Sequence, residues 1–310
     1  MLERVRSRGL LESGAPAVVL LSGGRDSTCL LDLAVRIAGR EQVTALHLNY
    51  GLRDAADADE HHCAQLCGRL GIPLDVRRPR RPGSGNLQAW ARSERYGAGT
   101  QLALDRGAVL AAGHTATDQV ETILYRLASS PSRRALYGMR EREGPLVRPL
   151  LSFTREETAA YCSSRGLAWR EDETNDSEVY ARGRVRVDVL PALRSIHPAA
   201  EDNVLALARI LREEGEVLDE LVDDVLAGRS EIALARLRGL SPALQRLVVQ
   251  RLADEAAGAP APGAARRAAE VVSLADTGTA ALDLPHGVRA TARRGVLSFA
   301  RTPRVPPRRP

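Results

Sequence analysis

Residues 17–27, Ala17-Val18-Val19-Leu20-Leu21-Ser22-Gly23-Gly24-Arg25-Asp26-Ser27, decide how the rest of the chain is read. An apolar run without alternation suits a strand covered on both faces, as in a parallel sheet. Thr28 to Arg40 then repeats apolar residues (Leu30, Leu31, Leu33, Ala34, Ile37) near the helical period. The glycine loop therefore joins the carboxyl end of a strand to the amino end of a helix. Free N–H groups and the positive end of the helix dipole make such a junction an anion site. Gly23 and Gly24 let the backbone approach an anion closely, and Ser22 and Ser27 add hydroxyl donors. Asp26 offers a carboxylate for a cation that screens phosphate charge.

Outward from this loop, strands and helices alternate. Residues 43–48, 74–77 and 108–112 read as further strands; 57–70, 86–106 and a stretch opening near Thr117 read as helices. This order predicts an α/β fold, a doubly wound parallel sheet with right-handed crossovers. Ligands are then expected beyond the carboxyl ends of the strands, where Ser22, His47 and Gly113 fall. Residues 129–144 read as a loop, and Thr154-Arg-Glu-Glu157 has the spacing of a capping box. A boundary is placed at His197-Pro198, giving a catalytic domain of residues 1–197. A second, mainly helical domain, 198–302, ends in short strands near 280–284, 288–292 and 295–300, and 303–310 is expected to be a disordered tail.

The 44 basic residues are all arginines, against 39 acidic ones, and the net charge of +5 permits a polyanionic partner. With aromatics at 3%, any stacking on splayed bases falls to arginine planes. The four cysteines, Cys29, Cys63, Cys67 and Cys162, make no dense disulfide framework. His61, His62, Cys63 and Cys67 share one helix and could ligate a metal, yet the same segment reads as an amphipathic helix with half-buried thiols placed away from the loop. No signal-peptide pattern precedes the first strand and no apolar run approaches ~20 residues, so a cytoplasmic protein without membrane spans is expected.

The loop lacks the Gly-Lys-Ser/Thr of a Walker motif and resembles the SGGxDS loop of the PP-loop ATP pyrophosphatases. His47-Leu-Asn-Tyr-Gly-Leu-Arg53, Gly113-His-Thr-Ala-Thr-Asp-Gln-Val-Glu-Thr122, Val147-Arg-Pro-Leu-Leu151, Asp172-Glu-Thr-Asn175 and Arg182-Gly-Arg-Val-Arg186 extend the likeness. With them, residues 15–195 resemble the tRNA(Ile)-lysidine synthetases. That resemblance implies an adenine nucleotide α-hydrolase-like fold, ATP and Mg²⁺ as cofactors, and free L-lysine and tRNA(Ile) with a CAU anticodon as partners. ATP would adenylate the carbon-2 oxygen of the wobble cytidine, and the lysine ε-amine would displace AMP. A homodimer is a family expectation.

Residue by residue, the resemblance points to Ser22, Gly23, Gly24, Arg25, Asp26, Ser27, His47 and Gly113 for the nucleotide, and to Asp26, Arg95, His114, Asp118 and Glu121 for catalysis. His114, Asp118 and Glu121 fall on one face of a helix that begins early enough; two carboxylates there could hold a lysine ammonium or Mg²⁺. Asp26 and Asp118 are the metal candidates. Arg182, Arg184 and Arg186 stand where the family places arginines that face tRNA, although a solvated strand or loop face reads equally well. Four positions depart from the family pattern: Tyr50, Thr115, Thr117 and Gly183. A tRNA thiolase is the nearest rival, but no Cys-x-x-Cys is present; an amidating ligase and a non-catalytic RNA-binding module stand further off.

Overall fold

The computed structural model describes residues 1–52, 55–130, 132–170 and 181–303, without the side chains of residues 181 and 182. Asp172–Asn175, Arg53 and all but the first residue of the expected tail lie outside the described residues. The chain divides into two compact units, Met1–Pro131 with Ala135–Ala208, and Ser132–Arg134 with Arg209–Pro310. The division falls past the boundary placed at 197–198, within a helix of residues 200–226. Pro198 precedes that helix instead of closing a domain.

The first unit is built as α1 (Leu2–Arg6), β1 (Ala17–Leu20), α2 (Arg25–Ala38), β2 (Val43–Leu48), α3 (Ala56–Leu70), β3 (Leu74–Arg77), α4 (Leu87–Asp105), β4 (Val109–Ala111), α5 (Ala116–Ser129), β5 (Arg142–Glu143), β6 (Leu146–Val147), α6 (Arg155–Ser164), α7 (Ala181–Arg184) and α8 (Leu190–Ile196), with α9 (Ala200–Leu226) continuing past the division. The sheet order is β3-β2-β1-β4-β6-β5, parallel except for β5, which pairs antiparallel with β6. Strand order reverses between β1 and β4, so their carboxyl ends border the crevice where such sheets bind ligands.

Both faces of β1 are covered, which explains its lack of alternation. Ala17, Val19 and Leu21 belong to one core with residues of α2, α3 and α6. Val18 and Leu20 belong to the opposite one with Leu102 and Ala103 of α4 and Leu110 of β4. Two elements differ from the sequence reading. α2 begins at Arg25, not Thr28, because its polar first turn carries no apolar period. β5, the first strand of the β5–β6 hairpin, lies within the segment 129–144 that was read as a loop, the paired strands being too short to show alternation.

In the second unit, β7 (Glu231–Ala233), α10 (Leu234–Arg238), α11 (Pro242–Ala257), α12 (Ala268–Val272), β8 (Thr279–Leu284), β9 (Val288–Arg293) and β10 (Val296–Arg301) follow α9. The strands form an antiparallel sheet ordered β7-β10-β9-β8. Val288, Ala290 and Ala292 point into its core while Arg289, Thr291 and Arg293 alternate outward. Arg134 belongs to this unit and pairs with Asp219 and Asp254.

Candidate nucleotide and acceptor site

At the end of β1 the loop turns through Gly23, whose φ of +85° only glycine adopts readily. A Cβ there would also sit 3.3 Å from Cys63 Sγ. Cys63 therefore lies against the loop, contrary to the placement of this thiol away from it. It is wholly buried, and that burial pushes its thiol up to about 12, so it is protonated at neutral pH. The backbone N–H of Arg170 donates to the Gly23 carbonyl at 3.0 Å, and Arg170 Nε pairs with Asp59 of α3 at 2.5 Å. Neither Asp59 nor Arg170 stands out in the sequence, since each belongs to an ordinary charged segment.

Gly24 is the N-cap of α2, and no side chain caps that helix. Inside the loop, the backbone N–H of Ser22 donates to Ser27 Oγ (3.2 Å), the two hydroxyls lie 3.1 Å apart, and Ser27 Oγ donates to the Gly24 carbonyl (2.8 Å). These bonds brace the turn across its own width. Asp26 accepts from Thr158 Oγ1 at 2.5 Å and from Arg25 Nε at 3.2 Å, with Arg155 Nε 3.7 Å away. Thr158 and Arg155 come from α6 and carry no motif that would mark them.

Gly113, at the end of β4, is pressed against the start of α2: a Cβ there would lie 3.1 Å from the carbonyl of Asp26 and the nitrogen of Ser27. This contact brings the Gly113-His114 segment beside the loop, as the fold class requires. His47 is buried at the end of β2 with Nδ1 2.9 Å from the Leu21 carbonyl. A carbonyl can only accept, so Nδ1 carries the proton and Nε2 remains a buried acceptor without a partner among the described residues. His114 Nε2 lies 3.4 Å from the Tyr96 hydroxyl, and its buried Nδ1 has no partner there either. Burial lowers the His114 pKa to about 4; Asp118 opposes that shift, while Arg148, Arg92 and Arg95 add to it. The imidazole is neutral at neutral pH.

α5 begins quite differently. Thr115 and Asp118 form a capping box: the Thr115 N–H and hydroxyl donate to Asp118 Oδ2 at 2.8 and 2.9 Å. Thr115, a departure from the family pattern, thus orients Asp118. One turn on, Glu121 is buried and accepts two bonds from Arg186, Nε to Oε1 at 2.7 Å and Nη2 to Oε2 at 3.0 Å; Arg186 Nη2 is 3.9 Å from Asp118. The arginine run is helical, not a strand or loop face: α7 passes into a π-helical turn over Val185–Val189. Residues two apart point to opposite sides of a helix, so Arg184 is exposed while Arg186 turns inward. Arg182 lies in α7 with its side chain outside the description. Arg95 Nε reaches the Tyr50 hydroxyl at 3.3 Å, and that hydroxyl donates to the Ala91 carbonyl, so the second departure ties the β2 loop to α4. Arg148 is buried and donates to the Arg140 carbonyl at 2.6 Å and to Glu143 at 3.1 Å.

No three His, Cys, Asp or Glu side chains cluster as a metal cage among the described residues. Asp26 and Asp118 stand as single carboxylates, which suits a hard cation that arrives on phosphates and keeps its waters.

A glycine loop opening an uncapped helix at the switch point of a parallel sheet defines an α/β protein of the PP-loop class, and residues 7–193 match the PP-loop domain model. Two tRNA(Ile)-lysidine synthases are similar over nearly the whole chain. The one from Symbiobacterium thermophilum is 36% identical over 97% of this chain and 69% of its own length. The one from Dehalococcoides mccartyi is 33% identical over 91% and 65%. The chain spans about two thirds of the length of these relatives. A U34-tRNA thiolase, NcsA from Methanococcus maripaludis with its 4Fe–4S cluster, shares the fold at a TM-score of 0.58 and 16% identity, over 68% of this chain and 78% of that one. The chain belongs to the PP-loop family and, within it, to the tRNA(Ile)-lysidine synthases. No helix among the described residues is long and apolar enough to cross a membrane.

Proposed function

We propose that this chain ligates free lysine to carbon 2 of the wobble cytidine of a tRNA(Ile) bearing a CAU anticodon, with ATP split into AMP and pyrophosphate. What supports the reading is the uncapped α2 terminus with Gly113 pressed against it. His114 precedes α5, which begins at Ala116, so it does not share a helix face with Asp118 and Glu121 as expected but follows Gly113 in the segment that leads into their helix.

In the first step the cytidine carbon-2 oxygen attacks the α-phosphorus of ATP and pyrophosphate leaves. The first-turn N–H groups of α2 receive phosphate oxygens, and Arg25 and Arg95 offset the charge that develops on them. A Mg²⁺ bound to the phosphates would be held by Asp26 and would neutralise charge on the leaving group. In the second step the lysine amine attacks carbon 2, AMP departs and the amine gives up its proton. His114, neutral at neutral pH, can accept a hydrogen bond from the amine, but with a pKa of about 4 it is too weak a base to keep the proton, which passes to solvent. Asp118 and Glu121 attract the lysine ammonium, and Glu121 already holds a cation in Arg186. On this reading Arg186 exchanges places with lysine, turning with Arg184 towards tRNA phosphates. Phosphate contacts from the second unit's arginines would fix the tRNA in register.

The thiolase alternative shares the first step but needs a sulfur carrier; Cys63 beside the loop is a buried, protonated thiol. The test is to incubate the protein with ATP, Mg²⁺, radiolabelled lysine and unmodified tRNA(Ile) carrying CAU. Label retained on the tRNA, dependent on ATP and on the wobble cytidine, is the expected result. Pyrophosphate release without label would leave the adenylation step and remove lysine as nucleophile.

A further inference from the structure

α2 opens without a side-chain cap, and the carboxylate best placed to supply one is turned away. Gly24 contributes no side chain at the N-cap, and Asp26 is the second residue of the helix. A short carboxylate in that position readily folds back onto first-turn N–H groups, which have no intrahelical partner and carry the positive end of the dipole. A cap made this way at α2 would occupy the anion site.

Asp26 faces α6 instead. Thr158 Oγ1 donates to Oδ1 at 2.5 Å, and Arg155 stands 3.7 Å from Oδ2. Thr158 is completely buried. α6 is tied to α2 at three further points: the Tyr161 hydroxyl donates to Asp32 at 2.5 Å and accepts from Arg36 Nη1 at 3.0 Å, and Cys162 Sγ lies 3.6 Å from the Arg25 carbonyl. The clamp is therefore carried by a fixed helix, not by a mobile surface group.

We infer that Thr158 is a positioning residue for the nucleotide site: by holding the Asp26 carboxylate against α6, it keeps the first-turn amides of α2 open to the phosphates of ATP. The inference rests on the reading of the loop as the ATP phosphate site. Thr158→Val keeps the shape and removes the donor, so Asp26 competes with phosphate for those amides. Thr158→Ser keeps the donor. Asp26→Ala removes the competitor and leaves the Thr158 hydroxyl only the Arg155 carbonyl, 2.9 Å away.

The experiment is calorimetric titration of the full chain with ATP, in EDTA and in Mg²⁺, with circular dichroism to confirm folding. Thr158→Val is expected to weaken ATP about tenfold in both conditions, as loss of a hydrogen-bonded arrangement of this kind allows. Thr158→Ser is expected to bind within about twofold of the unaltered chain. Asp26→Ala should still bind ATP in EDTA, and adding Thr158→Val to it should change nothing further. Should Thr158→Val not fold, Thr158→Ala carries the same comparison. Unchanged ATP affinity in Thr158→Val overturns the inference, as does the same loss with Asp26 absent, or loss of ATP binding in EDTA on Asp26→Ala. Failure of the unaltered chain to bind ATP overturns the nucleotide-site reading itself, and the inference falls with it.

Discussion

α2 and α5 leave adjacent strands at the same edge of one sheet, and their first turns are treated in opposite ways. α2 has glycine at its N-cap and no side-chain acceptor; α5 has threonine there and a complete capping box. A capped helix terminus is locally self-sufficient, so α5 gains stability from its own sequence and presents carboxylates from Asp118 onward. An uncapped terminus leaves N–H groups for which the chain provides no side chain, and a site meant for an anionic ligand requires that omission. On the proposed reading the contrast separates an anion-receiving helix from a cation-receiving one, and Gly113, just upstream of α5, is pressed against the start of α2.

Making α2 resemble α5 should have the largest effect. Gly24→Asp places a carboxylate over the first turn, where φ of −74° admits any residue. ATP–pyrophosphate exchange should fall by at least ~100-fold, in the range expected when a charge-stabilising arrangement is lost. Asp26→Ala should abolish exchange by removing the cation-binding carboxylate while leaving the fold intact; rates like those of the unaltered chain would remove Asp26 from the metal role. Exchange and melting curves measured together check both.

Neutralising the acidic face comes next. Glu121→Gln should raise the lysine KM by at least ~10-fold with pyrophosphate exchange largely kept, since lysine enters only in the second step. Because Arg186 then loses a bidentate partner in a half-buried setting, stability should also drop by ~2–4 kcal/mol, readable in urea titrations. An equal loss of exchange would place Glu121 in the first step instead.

A smaller effect should appear with pH. His114 titrates at about 4 in the folded chain against an ordinary value of 6.5. The unfolded chain therefore binds this proton more readily. Its contribution to stability is complete above about 6.5 and is lost as pH falls from there to about 4. His114→Gln should flatten the stability profile across that window; an unchanged profile would contradict the burial argument. Least of all, Thr115→Ala should cost ~1 kcal/mol as the cap of α5 is lost, while ATP affinity stays within about twofold because the α2 terminus is untouched.

Much of this contrast was legible in the chain. β1 and β4 were visible because buried parallel strands are continuous apolar runs, β2 and β3 as short strand-like segments between helices, and Thr154 and Glu157 announced α6 through their spacing. The three strands β8 to β10 showed as short strand-like runs. What the sequence hid was long-range. Thr158 meets Asp26, Arg170 meets Asp59, and Arg186 meets Glu121 across separations of 132, 111 and 65 residues, and no local pattern encodes such pairings. Arg186 shows the same limit: an arginine among arginines gives no local sign that a helical turn brings it to Glu121. The start of α2 was misplaced for a related reason, since its functional first turn is polar where periodicity looks for apolar residues.

The most direct test of the contrast is a crystal structure of the full chain with a non-hydrolysable ATP analogue whose α–β bridge is a methylene group. The account predicts the triphosphate against the first-turn amides of α2, between Gly23 and Asp26, with the Thr115–Asp118 cap of α5 intact. Phosphates seated on the amino end of α5, with that cap opened, would contradict it.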